Sequence, residues 1–168
     1  MTIRWLMAGV AAALIVSSPS FAQDKASQKF LKEAIEGNLA EVKMGELAQK
    51  NGQSDKVRSF GQMLQKDHSA ANQKATAAAN QLGVSPPTEP SKKQKATYDR
   101  MSKMSGDNFD RDFAKHMVTD HKKDIKAYEK EAKKNDAAGA YAKEALPTLQ
   151  KHLETAQSLA GTGTSAKR

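Results

Sequence analysis

Three features of this sequence predict an all-α chain folded as a four-helix bundle. Four long stretches repeat apolar residues at three- and four-residue intervals, and no stretch alternates apolar and polar residues as a half-buried strand does. The 168 residues contain no Cys, so one modest core must form by helix packing without disulfides. The longest connection falls between the second and third long helices, where one long crossover replaces the short turns of a simple up-down bundle. That crossover makes a ferritin-like topology the expectation, with a plain antiparallel bundle as the alternative.

The first residues, MTIRWLMAGVAAALIVSSPSFA, place Arg4 ahead of an apolar run from Leu6 to Val16. Small residues follow, with Ser20 and Ala22 at the −3 and −1 positions of a cleavage site. They read as a signal peptide over residues 1–22, removed behind Ala22. The run is shorter than the roughly 20 residues that a spanning helix needs. The expected location is the periplasm or the cell exterior, with a single domain over residues 23–160 and a frayed, flexible tail over 161–168 (GTGTSAKR).

The first helix is expected from about Ala26 to Lys50, with Leu31, Ile35, Leu39 and Val42 inward. Asn51-Gly52 should end it in a left-handed conformation. Ser54 is the expected N-cap of the second helix, whose stripe is Val57, Phe60, Leu64, Ala71, Ala75, Ala78 and Leu82. Gly83 ends it, and the prolines of VSPPTEP prevent continuation. A short helix over about Lys92 to Met104 occupies the crossover. The third long helix starts near Asp107 and turns Phe109, Phe113, Met117, Ile125, Tyr128 and Ala132 inward. The last runs from about Asp136 to Ala160 on Leu146, Leu149, Leu153 and Ala156, with Pro147 removing one backbone hydrogen bond.

The formal charge is +8, and cleavage of the leader removes only Arg4 from the charged set. Lysines are interleaved with Glu and Asp and aromatics are scarce, which argues against nucleic acid as a partner. In an exported chain the surplus points to an anionic envelope surface or an acidic protein. No phosphate-binding glycine loop, His-Glu-x-x-His or Gly-x-Ser-x-Gly elbow is present, so a non-enzymatic protein is the expected class. The methionines are spread over several helices and read as core filler rather than a copper box.

Two phrases repeat: FGQMLQKDHSAAN from Phe60 and FAKHMVTDHKKDI from Phe113, each a Phe, then six residues, then Asp-His. At about 100° per residue, His121 falls on the buried face between Met117 and Ile125, and His152 beside Leu149 and Ala156. His68 falls at the flank of its stripe, His116 at an edge, and Glu41 beside the buried face of the first helix. Buried imidazoles need partners. His68, His121, His152 and Glu41, one from each helix, would form an N3O site suited to zinc or copper, with iron less favoured. Asp67 and Asp120 would hold imidazoles from outside, each serving a histidine other than its neighbour, and Asp124 is a further ligand or acceptor. The competing reading has crossed His–Asp contacts that fix helix register without a metal. It needs fewer assumptions, because no ligand spacing here is diagnostic alone. No Glu-x-x-His occurs, which disfavours the usual di-iron carboxylate centre.

The segments EAIEGNLAEVKMGELAQKNGQSDKVRSFGQMLQKDHSAAN, GDNFDRDFAKHMVTDHKKDI and LPTLQKHLETAQSL together resemble the family catalogued as domain of unknown function 4142, over about Ser27 to Leu159. The order Glu-Val with a following Gly, Asp-His, Phe-Asp then Met-Val-x-Asp-His, and Leu-Pro-x-Leu-x-x-His-Leu is specific only in combination. The resemblance implies an exported bacterial protein with a ferritin-like fold, in places labelled an outer-membrane protein, although nothing here reads as a membrane barrel. It carries the family's marked polar residues onto Glu41, Asp67, His68, Asp120, His121 and His152. Gln65 and Lys66 depart from a frequent Val-x, and Asn38 stands where Gly is common. Neither departure is expected to touch the ligands. No biochemical role is established for the family, so the resemblance speaks to fold more than to function.

Overall fold

The computed structural model describes residues 21–165. The expected leader lies outside the described residues except for its last two positions, as do residues 166–168. Five helices follow in order: α1 (Phe21–Asn51), α2 (Asp55–Gln81), α3 (Lys92–Met101), α4 (Gly106–Glu131) and α5 (Ala137–Ser165). No strand occurs among the described residues. The all-helical bundle with a short helix in its central connection is as the sequence predicts. α5 continues through Gly161 into the stretch read as a tail.

Helix ends follow local chemistry, with one correction. The Ser54 side chain accepts from the Val57 N–H, and a Ser91/Gln94 capping box opens α3. α2 ends at Gly83 with φ +67°, where the Val84 N–H donates to the Ala79 carbonyl in the pattern of a Schellman motif. Asn51-Gly52 does not use a left-handed conformation, since only Gly83 and Gly106 have positive φ among the described residues. Gly52 is needed for space instead: a Cβ there would lie 2.5 Å from the Ala48 carbonyl oxygen.

Two helical hairpins, α1/α2 and α4/α5, pack together, with α2 against α5 and α1 against α4. Hydrogen bonds fix which ends meet. The Asn51 amide donates to the Ser102 and Met104 carbonyls, and Asp110 accepts from the Gln53 and Ser54 N–H groups. At the opposite end Ser27 donates to Asp136, and Gln28 to the Leu82 carbonyl. The chain therefore leaves α2 at one end and enters α4 at the other, so the connection holding α3 runs the length of the bundle. α1 and α2 approach closely at Gly45 and Gly61, where a Cβ on either would come within 2.6 Å of the other's carbonyl oxygen.

The core is split in two. Phe30, Leu31, Ile35, Ala75, Tyr128 and Tyr141 fill one half, and Met44, Phe60, Leu64, Phe109, Phe113 and Met117 the other. Between them lies a buried polar layer of Asn38, Glu41, His68, His121 and His152. Two faces are rotated from expectation. On α1, Asn38 and Glu41 lie on the buried line while Leu39 and Val42 are only half-buried; on α2, His68 is inside the stripe and not at its flank. Counting apolar residues draws a helix's face towards its leucines and valines, so a face completed by polar side chains is misjudged.

Candidate metal centre

Each histidine of the layer is placed by the apolar residues one turn either side of it: Leu64 for His68, Met117 for His121, Leu149 and Ala156 for His152. Helical spacing carries all three inward from α2, α4 and α5. They are 4%, 2% and 0% exposed, and their ring centroids form a triangle of 5.3 to 5.8 Å. One ring nitrogen from each lies within 4.8 Å of the others.

The outer nitrogen of every ring faces an oxygen. His121 Nδ1 is 3.0 Å from the Met117 carbonyl, which can only accept, so that nitrogen carries the hydrogen and Nε2 is a lone pair. His152 Nε2 is 3.0 Å from Asp67 Oδ2, so it donates to the carboxylate and leaves Nδ1 bare. His68 Nδ1 is 2.9 Å from Asn38 Oδ1, while the Asn38 amide donates to the Tyr141 hydroxyl. His68 Nε2 is then a lone pair, buried and without a hydrogen-bond partner. His121 Nε2 and His152 Nδ1 stand 3.4 Å apart, at hydrogen-bond distance, and neutral rings with these outer partners leave no hydrogen to lie between them. Facing lone pairs repel, and a cation between them removes the repulsion.

A proton is the poorer cation here. Burial lowers the pKa of all three imidazoles, and neighbouring imidazoles lower His68 and His121 further. His121 falls to about 4. For His152 burial outweighs the opposing pull of Asp67. All three rings are neutral at neutral pH, the state in which imidazole ligates metals.

The other candidate residues divide. Asp67 serves His152 from another helix, as the 100° offset between neighbours on a helix requires. Asp120 does not hold an imidazole; the Met117 carbonyl takes that role for His121, and Asp120 hydrogen-bonds Glu41. Glu41 is 3% exposed with one carboxylate oxygen unpartnered, and it faces Asp120 and Asp124. Burial, and then those two charges, raise its pKa well above the usual carboxylate range. Asp124 is pushed up to about 7, by burial first and by Asp120 second. Ring nitrogens from the three histidines converge, but Glu41 is not among the converging ligands. His116 is half-buried at the edge of its stripe. Asn38, expected to be remote from the ligands, orients His68 directly. Its spacing from Leu31, Ala34 and Ile35 on α1 was the available signal, since helical periodicity puts position 38 on the same line.

A family model described as Domain of unknown function (DUF4142) matches residues 16–159. No curated protein and no solved structure matches the chain significantly.

Proposed function

The chain belongs to the family described as Domain of unknown function (DUF4142), and on that footing we propose that it is an exported, ferritin-like bundle protein that binds one transition-metal ion through His68, His121 and His152. Zinc or copper suits three imidazoles best, with iron less favoured. The observation that carries this reading is the oxygen behind each ring, which sets where its hydrogen goes. Three outer N–H groups are taken up by Met117, Asp67 and Asn38, which leaves three inward lone pairs, one of them buried without a partner. Oxygen acceptors behind metal-bound histidines fix tautomer and ring orientation in the same way. The spacing agrees for one pair. Two nitrogens each about 2.0–2.1 Å from a tetrahedral ion stand about 3.4 Å apart, and His121 Nε2 and His152 Nδ1 are separated by 3.4 Å. The three ligand nitrogens together lie within 4.8 Å and would close by a small shift. Crossed His–Asp contacts account for only one of the three rings, because His68 and His121 turn their outer nitrogens to an amide and a carbonyl.

Elemental analysis tests the proposal on protein purified with neither affinity tag nor chelator. About one equivalent of metal per chain is expected, lost in His152→Ala and kept in His116→Ala. No co-purified metal, together with no saturable uptake of zinc or copper at neutral pH, would defeat it.

A further inference from the structure

We propose that the ion's fourth coordination position stays open to a cleft formed chiefly by α2 and α5, and that water or a small monovalent anion binds the ion there. This rests on the metal reading above. A closed structural site of tetrahedral type has four protein ligands, whereas three protein ligands plus an exchangeable one mark an open site. Here three imidazoles converge, and no fourth ligating side chain joins them among the described residues. Asp67 holds the outer nitrogen of His152, and Glu41 is turned to Asp120 and Asp124 and is not part of the cleft wall.

The cleft is an independent observation. It has a volume of about 140 Å³, and His68 and His152 are both in its wall. The Lys74–Glu144 ion pair, more than half exposed, marks its rim, while the two histidines are buried, so the cleft leads from solvent to the rings of two of the three ligands, beside their partners Asn38 and Asp67. Its size excludes drug-sized molecules, whose pockets begin near roughly 300 Å³, and leaves room for water or a small anion. The charge of the ion supplies the attraction.

Cobalt(II)-loaded protein and azide provide the test, because cobalt's visible spectrum reports on its ligands. Azide is expected to change that spectrum saturably. In Ala71→Phe, which fills the cleft from α2, cobalt should still bind stoichiometrically while azide binds at least tenfold more weakly. Thr148→Phe fills it from α5 and should act alike, which keeps the test intact if one variant misfolds. Stoichiometric cobalt with a spectrum indifferent to azide overturns this inference alone. Azide affinity unchanged in both filled variants overturns the route through this cleft. Failure of cobalt to bind at all overturns both this inference and the metal reading.

Discussion

Towards α2 and α5, the helix α4 presents His121 to two further imidazoles; towards α1, it presents Asp120 and Asp124 to Glu41. Both groups lie at the same level of the bundle, between the same two apolar clusters. Burial acts on both in one way, by disfavouring the charged form. The chemical results are opposite. A neutral imidazole keeps a lone pair and is a metal ligand, whereas a neutral carboxyl keeps a proton and is a poor one. Desolvation thus prepares the histidine side for a cation and withdraws Glu41 from it. The surroundings reinforce the difference: the imidazoles are held from behind by fixed oxygens, while the carboxyls meet one another.

Substitutions at the two groups should separate them. The largest effect is expected at the histidines. His68→Ala should abolish stoichiometric metal binding with the helical circular dichroism retained, and metal kept at wild-type affinity would mean that its buried nitrogen is not a ligand. Next comes the acceptor behind His152. Asp67→Asn should weaken metal affinity about 10- to 100-fold, the range for such outer partners. Competition against a chelator of known affinity measures it, and no change would show that the His152 ring is oriented by packing alone.

On the carboxylate side the expected effect is on stability and has a definite sign. Asp124 rises from its ordinary 3.8 to about 7 on folding, by burial with Asp120 and Glu33 adding and Lys123 opposing. Between those values the unfolded chain is ionised and the folded one is not, so this group's stabilising contribution is full below about pH 4 and is lost as pH rises towards 7. Asp124→Asn should therefore make the metal-free protein more stable at about pH 8. The side chain is 29% exposed, so solvent screens part of the effect and a gain of about 1–2 kcal/mol is expected. Urea midpoints at about pH 8 and about pH 4 would check it, with the difference from wild type fading at the lower pH. The smallest effect sharpens the comparison most. Glu41→Gln should leave metal affinity within about twofold of wild type, since Glu41 does not converge with the three imidazoles. A loss as deep as that of a histidine variant would return Glu41 to the ligand set.

Much of the fold was legible because helices are local. The 3.6-residue repeat, Ser54, Gly83 and the prolines of the crossover each act within a few residues of themselves, and the structure agrees with the helices they define, though the inward faces of α1 and α2 are rotated from the apolar count. Asn51-Gly52 was misread because the need there is room beside Ala48, which a residue's conformational preference does not reveal. The candidate site was legible in part: the three histidines meet, and Asp67 serves a histidine on another helix. Glu41 and Asp120 looked alike as polar residues near a core face, yet they pair with each other. Asn38 was passed over because an amide among apolar residues gives no sign of what it will touch.

By itself the sequence determined that four long helices form, that a proline-bearing connection divides them into two pairs, and that His121 and His152 lie inward with His68 at the flank of its stripe. Each of these depends only on spacing along one helix, where about 100° per residue assigns every side chain a direction. Only the tertiary structure decided which atoms meet. The rotation and axial register of each helix against the next depend on packing such as the Gly45–Gly61 approach. That register sets His68 against Asn38, thirty positions earlier, and His152 against Asp67, and it turns Glu41 away from the imidazoles towards Asp120.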